Sequence, residues 1–496
     1  MIRRAAALLL ALAAIAAVAT GCGGKSTARS ALDNALGYMP RNSLAIIAIK
    51  TNPDDQQIKN AIALLDKFPF GATIKSRVAQ ALKVGGGGLS YQHDIKPLLG
   101  NDFVVGIPPR GAGGSSGNAY VLAWQTKGGD IGGLISKGSQ KLGNEQGATL
   151  YGSSSGSVLA VKGKTLIGAQ TRALLDAALS ARNSSSRTTE SDFSGALRGL
   201  NQGALVRVTG DFRKILATSA KSAQALKVPW VAALRTFGVT TSVDSDGISE
   251  DFQVRTEGVS AAQVPLATGP ASPPVVKRPG EVAVGVRDPS QVVNFIEQVA
   301  SVTDPKSLLN KNKVGKLLGV DIDRDVVGQL GGNSAGSFAL AGGGLVVRAD
   351  LKDPGTFRST LAKILKNLPK AQRAQGKPVS AVRSGPGGLY TVTKPGGKPL
   401  VLGVIGNEVV LASDAARARA FAGAPATPVP GLTGAVAFTA NPTSIVTAIL
   451  KKRTHGNIGP LEALIVPALT AHLQSLDGSV DSETSGLHGH LKLTIR

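Results

Sequence analysis

Cysteine is nearly absent: Cys22 is the only one in 496 residues. No intramolecular disulfide can form, and no metal site can be built from thiolates. Aromatic residues are scarce at 4%, which leaves little for stacking nucleic-acid bases. Acidic residues are outnumbered, 32 Asp and Glu against 55 Lys and Arg. Beyond residue 21 no apolar run is long enough to cross a bilayer. The most apolar stretch, "IGPLEALIVPALTAHL", is interrupted by Glu462, Pro467 and His472.

What is present begins with a conflict at "AVATGCGGKST". From Ala19 these residues fit a loose phosphate loop ending in Gly24, Lys25 and Ser26. From Ala19 to Cys22 they also fit a lipobox, the processing site of a bacterial lipoprotein. Arg3 and Arg4 form a basic n-region, residues 5–19 are all Ala, Leu, Ile or Val, and the small residues Thr20 and Gly21 precede Cys22. That order is a secretory signal. A phosphate loop needs a buried strand before it and a helix after it, and "KSTARSALDNALG" opens no strong helix. The lipobox reading prevails. Cys22 is expected to become the mature N-terminus and to carry lipid, its free thiol forming a thioether. The twin arginines lack the flanking residues of a twin-arginine signal, so ordinary secretion is expected. The mature chain then sits on the outer face of the cytoplasmic membrane, attached through lipidated Cys22.

The basic excess is distributed. Residues 22–258 hold 27 basic and 17 acidic residues, and residues 259–496 hold 26 and 15. Export and the scarcity of aromatics argue against nucleic acid. Anionic lipid or an anionic cell-wall polymer fits such a charge better; the competing reading is that the charge only maintains solubility.

The chain reads as two copies of one design. "SAAQVPLATGPASPPVVKRPG", rich in Pro, Ala, Ser and Gly, separates them. The first half closes on "VPWVAALRTFGVTTSVDSDGISEDFQVRTE" and the second on "VPALTAHLQSLDGSVDSETSGLHGHLKLTIR". This pairing matches Pro229 with Pro467 and Ser242 with Ser479. Within each half a short β-rich run ends in Asn or Asp, often followed by Pro, and a helical pattern begins. Asn52, Asp288, Asp353 and Asn441 are placed as N-caps, with Pro53, Pro289, Pro354 and Pro442 at the first helical position. Ile58, Ile62 and Leu65, and Val292, Ile296 and Val299, mark apolar helix faces. Gly-rich turns between β-branched runs, as in "TLYGSSSGSVLAVKGKTLIGA", indicate antiparallel hairpins. The expected fold is α+β: two tandem duplicated lobes, each a largely antiparallel sheet with helices packed on one face. The expected boundaries are a signal peptide at 1–21, a flexible tether at 22–34, lobes at 35–258 and 279–496, and a Pro-rich linker at 259–278.

Catalytic motifs do not hold up. The nucleophile-elbow pattern G-x-S-x-G occurs around Ser115, Ser154 and Ser334, but a buried strand and a helix must flank such a serine. Ser115 reads as a loop residue, Ser154 as a hairpin turn, and Ser334 is followed by residues that read as strand. The five histidines are His93, His455, His472, His488 and His490. His488 and His490 would share one face of a strand, without further ligands near them in sequence. "DRD" at 323–325 is an acidic pair without a partner cluster, Asp54 and Asp55 suit a first helical turn, and "GGGG" at 85–88 is a loop. No catalytic, cofactor-binding or metal-binding residues are assigned, and no cofactor is expected.

"ALGYMPRNSLAIIAIKTNPDDQQIKNAIALLDKFP" resembles the opening of the bacterial envelope proteins grouped as the domain-of-unknown-function family 3352. Their usual start is a Leu-x-x-x-Pro-x-x-Ser/Ala step into a strand, followed by a short helix. The resemblance is clearest over residues 31–70, and it implies export and fold without implying catalysis. The function expected is an exported, lipid-anchored envelope protein with a non-enzymatic binding or organising role. A carrier of an apolar or lipid ligand, and a hydrolase with dispersed catalytic residues, are the alternatives.

Overall fold

The structure, a computed structural model, describes residues 30–85, 90–109, 111–114, 119–152, 157–185, 187–218, 224–303, 311–340, 344–453, 467 and 470–496. The expected signal peptide, Cys22 and most of the expected tether lie outside these residues. Two compact units divide the chain. One is Met1–Thr218 with Arg235–Val254 and Ile495–Arg496; the other is Ser219–Leu234 with Arg255–Thr494.

The first unit is built on β1 (Ala45–Ile49), β2 (Phe103–Ile107), β3 (Val121–Gln125), β4 (Gln140–Glu145), β5 (Ala148–Gly152), β6 (Val158–Lys162), β7 (Thr165–Ala169), β8 (Val206–Asp211), β9 (Leu234–Asp244) and β10 (Gly247–Thr256). Its strands run in the order β4-β5-β6-β7-β3-β2-β1-β8-β9, antiparallel throughout, and β10 pairs with β9. Pleating sends alternate residues to opposite faces. Val121 and Ala123 join Ala48, Val104 and Ile167 under the helices Ala31–Leu36, Arg172–Asn183 and Glu190–Ala196. Trp124 faces the other way, onto Ile95, Leu98 and Ile131.

The second unit is built on β11 (Val282–Arg287), β12 (Leu330–Phe338), β13 (Leu345–Leu351), β14 (Ala381–Ser384), β15 (Leu389–Thr393), β16 (Pro399–Ile405), β17 (Glu408–Ala412), β18 (Val436–Ala440), β19 (Leu473–Glu483) and β20 (Gly486–Ile495). The order is β14-β15-β16-β17-β13-β12-β11-β18-β19-β20, that of the first unit strand for strand. Here too both faces are covered. Val401 and Val410 pack with Phe421, and Leu402 and Val404 pack with Phe357, Leu361 and Leu365. The class is α+β with antiparallel sheets, and the helices divide between two faces where the sequence suggested one.

Local devices recur at matched places. Thr171 and Asp414 cap the helix that follows β7 and β17. Before β2 and β12 stand five-residue π-helical turns, Tyr91–Ile95 and Ile322–Val326, each continuing into a 3-10 turn. Such turns are rare. In each, a carboxylate reaches back to the backbone that enters the turn: Ser90 N–H donates to Asp94 at 2.7 Å, and Asp321 N–H to Asp325 at 2.9 Å. Asp325 of "DRD" therefore serves backbone capping, and Asp321 just before it accepts from the Asp323 and Arg324 N–H groups at 3.0 Å.

Several expectations need correction. The first long helix starts at Gln56, capped by Asp55, while Asn52 accepts from Asp54 N–H at 3.2 Å in a preceding turn. A short side chain two residues ahead favours this local bond over a helix start at Pro53. Asp353 does cap a helix with Pro354 at its first position, and Asn441 accepts from Thr443 N–H at 2.9 Å. Asp288 precedes its helix with φ +47 and accepts the Ser290 hydroxyl at 2.6 Å. Ile296, expected on a buried face, is 59% exposed, because its neighbour Phe295 turns inward to meet Trp230 edge-on at 5.5 Å. With β8 and β18 matched on Asp211 and Asn441 at their ends, Arg207 falls on Ala437; register pairs these with Thr240 and Ser479, so Ser479 corresponds to Thr240 and not to Ser242. The repeated "SVDS" is displaced by two residues, which preserves the face.

The Pro-rich stretch is packed against the second unit. Val264, Val275 and Val276 are buried, and Val275 exchanges both backbone hydrogen bonds with Thr427. Arg287 donates to the carbonyls of Ala267 and Gly269, and Gln291 to those of Ala261, Val264 and Leu266. Gly285 permits the approach, since a Cβ there would lie 2.5 Å from the Pro274 carbonyl oxygen.

Candidate anion-binding surface

The residues singled out by motif do not converge. Cys22, Ser115, Ser154 and His455 lie outside the described residues. Ser334 sits inside β12, paired with Val286 on one side and Ala349 on the other, and the strand continues to Phe338. An elbow would require a helix directly after it. His93 lies in the first π-turn, while His488 and His490 occupy alternate positions of β20. Among the described residues no group of three or more His, Cys, Asp and Glu is placed to hold a metal.

Two shallow, open concavities belong to the first unit. One, about 630 Å³, is lined by Ser136, Lys137, Gln140 and Leu142. The other, about 520 Å³, is lined by Arg182, Asn183 and Arg187. Its arginines are already engaged: Arg187 pairs with Asp33 at 2.7 Å, and Arg182 donates to Asn34 at 2.7 Å.

Several carboxylates are engaged by buried arginines or by helix starts. Asp102 pairs with Arg207, whose guanidinium is buried over the Phe193 ring; burial pushes the Asp102 carboxyl above the ordinary carboxylate value, against the pull of Arg207. Glu281 is held by Arg417 and Ser337. Burial raises it, and these bonds outweigh burial, leaving it below the usual range. Glu408 lies 3.3 Å from Arg348, whose guanidinium also caps the carbonyls of Phe421, Ala422 and Ala424. Asp130, Asp211 and Asp414 cap helices.

Exposed cations are concentrated in one place. Between Asp353 and Glu408 the sequence has nine Lys or Arg and no acid, and all nine side chains are exposed. Five of them lie on the helix Pro354–Ala374. Its start is fixed by Asp353, which accepts from Thr356 N–H at 2.9 Å and from the Thr356 hydroxyl at 2.6 Å; these bonds lower its carboxyl below the ordinary value. Phe357, Leu361 and Leu365 recur every fourth residue and are buried on the sheet. Asn367 donates to the Leu318 carbonyl at 2.8 Å, and Gln372 exchanges two hydrogen bonds with Ser380. The opposite side presents Lys363, Lys366, Lys370 and Arg373 within an arc of about 80° at 3.6 residues per turn. The corresponding helix of the first unit, between β3 and β4, is Ile131–Ser136, one of 6 residues. Counting charge by halves conceals this surface; the visible signal is the long acid-free interval.

No protein-family model matches the chain, and no curated protein matches it. Among solved structures, crystal forms III and I of TP0453 align with 46% and 47% of this chain and 81% and 82% of theirs, at 10% and 11% identity and a TM-score of 0.27. A likeness at that level supports no conclusion about what the chain does.

Proposed function

We propose that the chain is an exported envelope protein, anchored by lipid on Cys22, whose role is to bind anionic envelope material and not to catalyse a reaction. The acid-free interval between Asp353 and Glu408, with all nine of its cations exposed, carries this reading. Matching strand order and matching caps support a second element of it, descent of the two halves from one duplicated lobe. Duplication supplies a frame that does not need both copies for the same task, so one crossover is free to lengthen into a basic helix.

The experiment is sedimentation of the full chain with anionic and neutral envelope surfaces across a salt series. Binding through exposed cations is screened beyond about 10 Å at roughly 0.1 M ionic strength. The expected result is binding to anionic wall fragments or vesicles that weakens steeply with salt. Equal binding to neutral surfaces, or no binding at low salt, contradicts it and leaves the charge as a solubility device.

A further inference from the structure

We infer that the helix Pro354–Ala374 is a docking rail for a linear polyanion, an extended polymer with a negative charge on each successive unit, rather than for a bilayer. The inference rests on the reading that the charge excess serves binding, and adds the site and the chemistry of its partner.

Three observations carry it. First, Lys363, Lys366, Lys370 and Arg373 form one row on the solvent side, all exposed and without a side-chain hydrogen bond or ion pair among the described residues, with Lys363 close enough to Asp325 to help Arg324 lower its carboxyl. At a rise of 1.5 Å per residue the row is about 15 Å long, with successive charges roughly 4.5–6 Å apart along the axis. Such a row can meet several charges of one extended chain at once. Second, the row is held in advance. Phe357, Leu361 and Leu365 seat the helix on the sheet, while Asp353, Asn367 and Gln372 fix its start, middle and end. Less ordering of the helix backbone is then lost on binding. Third, no large apolar side chain of this helix is exposed: Phe357, Leu361 and Leu365 are buried, Ile364 and Leu368 are half-buried, and the residues that share the outer side with the cations are Gly355, Thr356, Ser359, Ala362 and Ala374. Helices that settle into a bilayer surface place Trp, Phe or Leu in the acyl boundary, and here those residue types face the protein.

The test uses the full chain and long-chain inorganic polyphosphate as probe, with phosphatidylglycerol vesicles and free phosphate as parallel arms. The variant is Lys363→Gln, Lys366→Gln, Lys370→Gln and Arg373→Gln together. A control removes four first-unit cations by Lys59→Gln, Lys141→Gln, Lys162→Gln and Lys164→Gln, and thermal unfolding of each protein verifies that it is folded. Four contacts at a slope of about 0.7 per contact predict a loss of roughly 50-fold in affinity between 50 and 200 mM salt, and this dependence disappears in the helix variant. The control is expected to keep it, and free phosphate is expected to compete weakly. Undiminished polyphosphate binding by the helix variant, or equal loss in the control, overturns the rail while leaving charge-driven binding standing. Helix-dependent binding to vesicles as tight as to polyphosphate also overturns it, in favour of the membrane. Failure of the wild-type chain to bind either probe removes the broader reading with it.

Discussion

Arg207 and Arg348 show how single residues of this basic protein are made tolerable inside. Both are nearly buried, both lie over a phenylalanine ring, and both have a carboxylate partner. Neither was readable from sequence, because a strand arginine looks the same whether it points into solvent or into a core. Removing one partner of such a pair strands the other charge, which costs far more than a surface pair contributes. Asp102→Asn is therefore expected to destabilise the chain by about 3–5 kcal/mol. Urea unfolding measures this; a change within the range of ordinary surface substitutions would mean that Arg207 reaches solvent or another acceptor.

At the scale of elements, the helix starts were partly legible. Asp353-Pro354 opens a helix as its sequence indicates, since an N-cap acceptor followed by proline satisfies both demands of a helix start. Asn52-Pro53 has the same form and fails, because Asp55 lies just beyond it and captures the cap. The π-turns were not legible at all: "SYQHDIKPLL" and "DIDRDVVGQL" share an aspartate at one position and almost nothing else, and a single turn has no period. The Asp353 cap also yields a pH prediction. Its folded-state carboxyl is held below the ordinary 3.8, so its contribution is present above that value and is lost as pH falls through the lower folded value. Asp353→Ala should lower the unfolding midpoint at neutral pH, and the gap to wild type should close in strong acid. A gap that persists unchanged in acid would separate the cap from the carboxylate charge.

At the scale of the whole molecule, α+β class and antiparallel pairing followed from alternation and turn composition, whereas strand order did not. β1 pairs with β8, and β3 with β7, across long intervening stretches, and no local pattern announces which distant strand is the neighbour. The basic surface was missed for a related reason. An excess of similar size in each half looks uniform until charge is followed along the chain, where the interval from Asp353 to Glu408 stands out. The sequence also reads the Pro-rich stretch as a linker, and composition cannot reveal that Arg287 and Gln291 gather its carbonyls.

The proposed role depends above all on where the chain is held, since a rail for envelope polyanions works only when it is presented to them. Intact-mass measurement of the mature protein from its own host tests this most directly. The account predicts a chain that begins at Cys22 and carries the added mass of a diacylglyceryl group, and a Cys22→Ala variant that is released or retained as precursor. A mature chain without lipid, or a Cys22→Ala variant that is processed normally and remains membrane-bound, would contradict it.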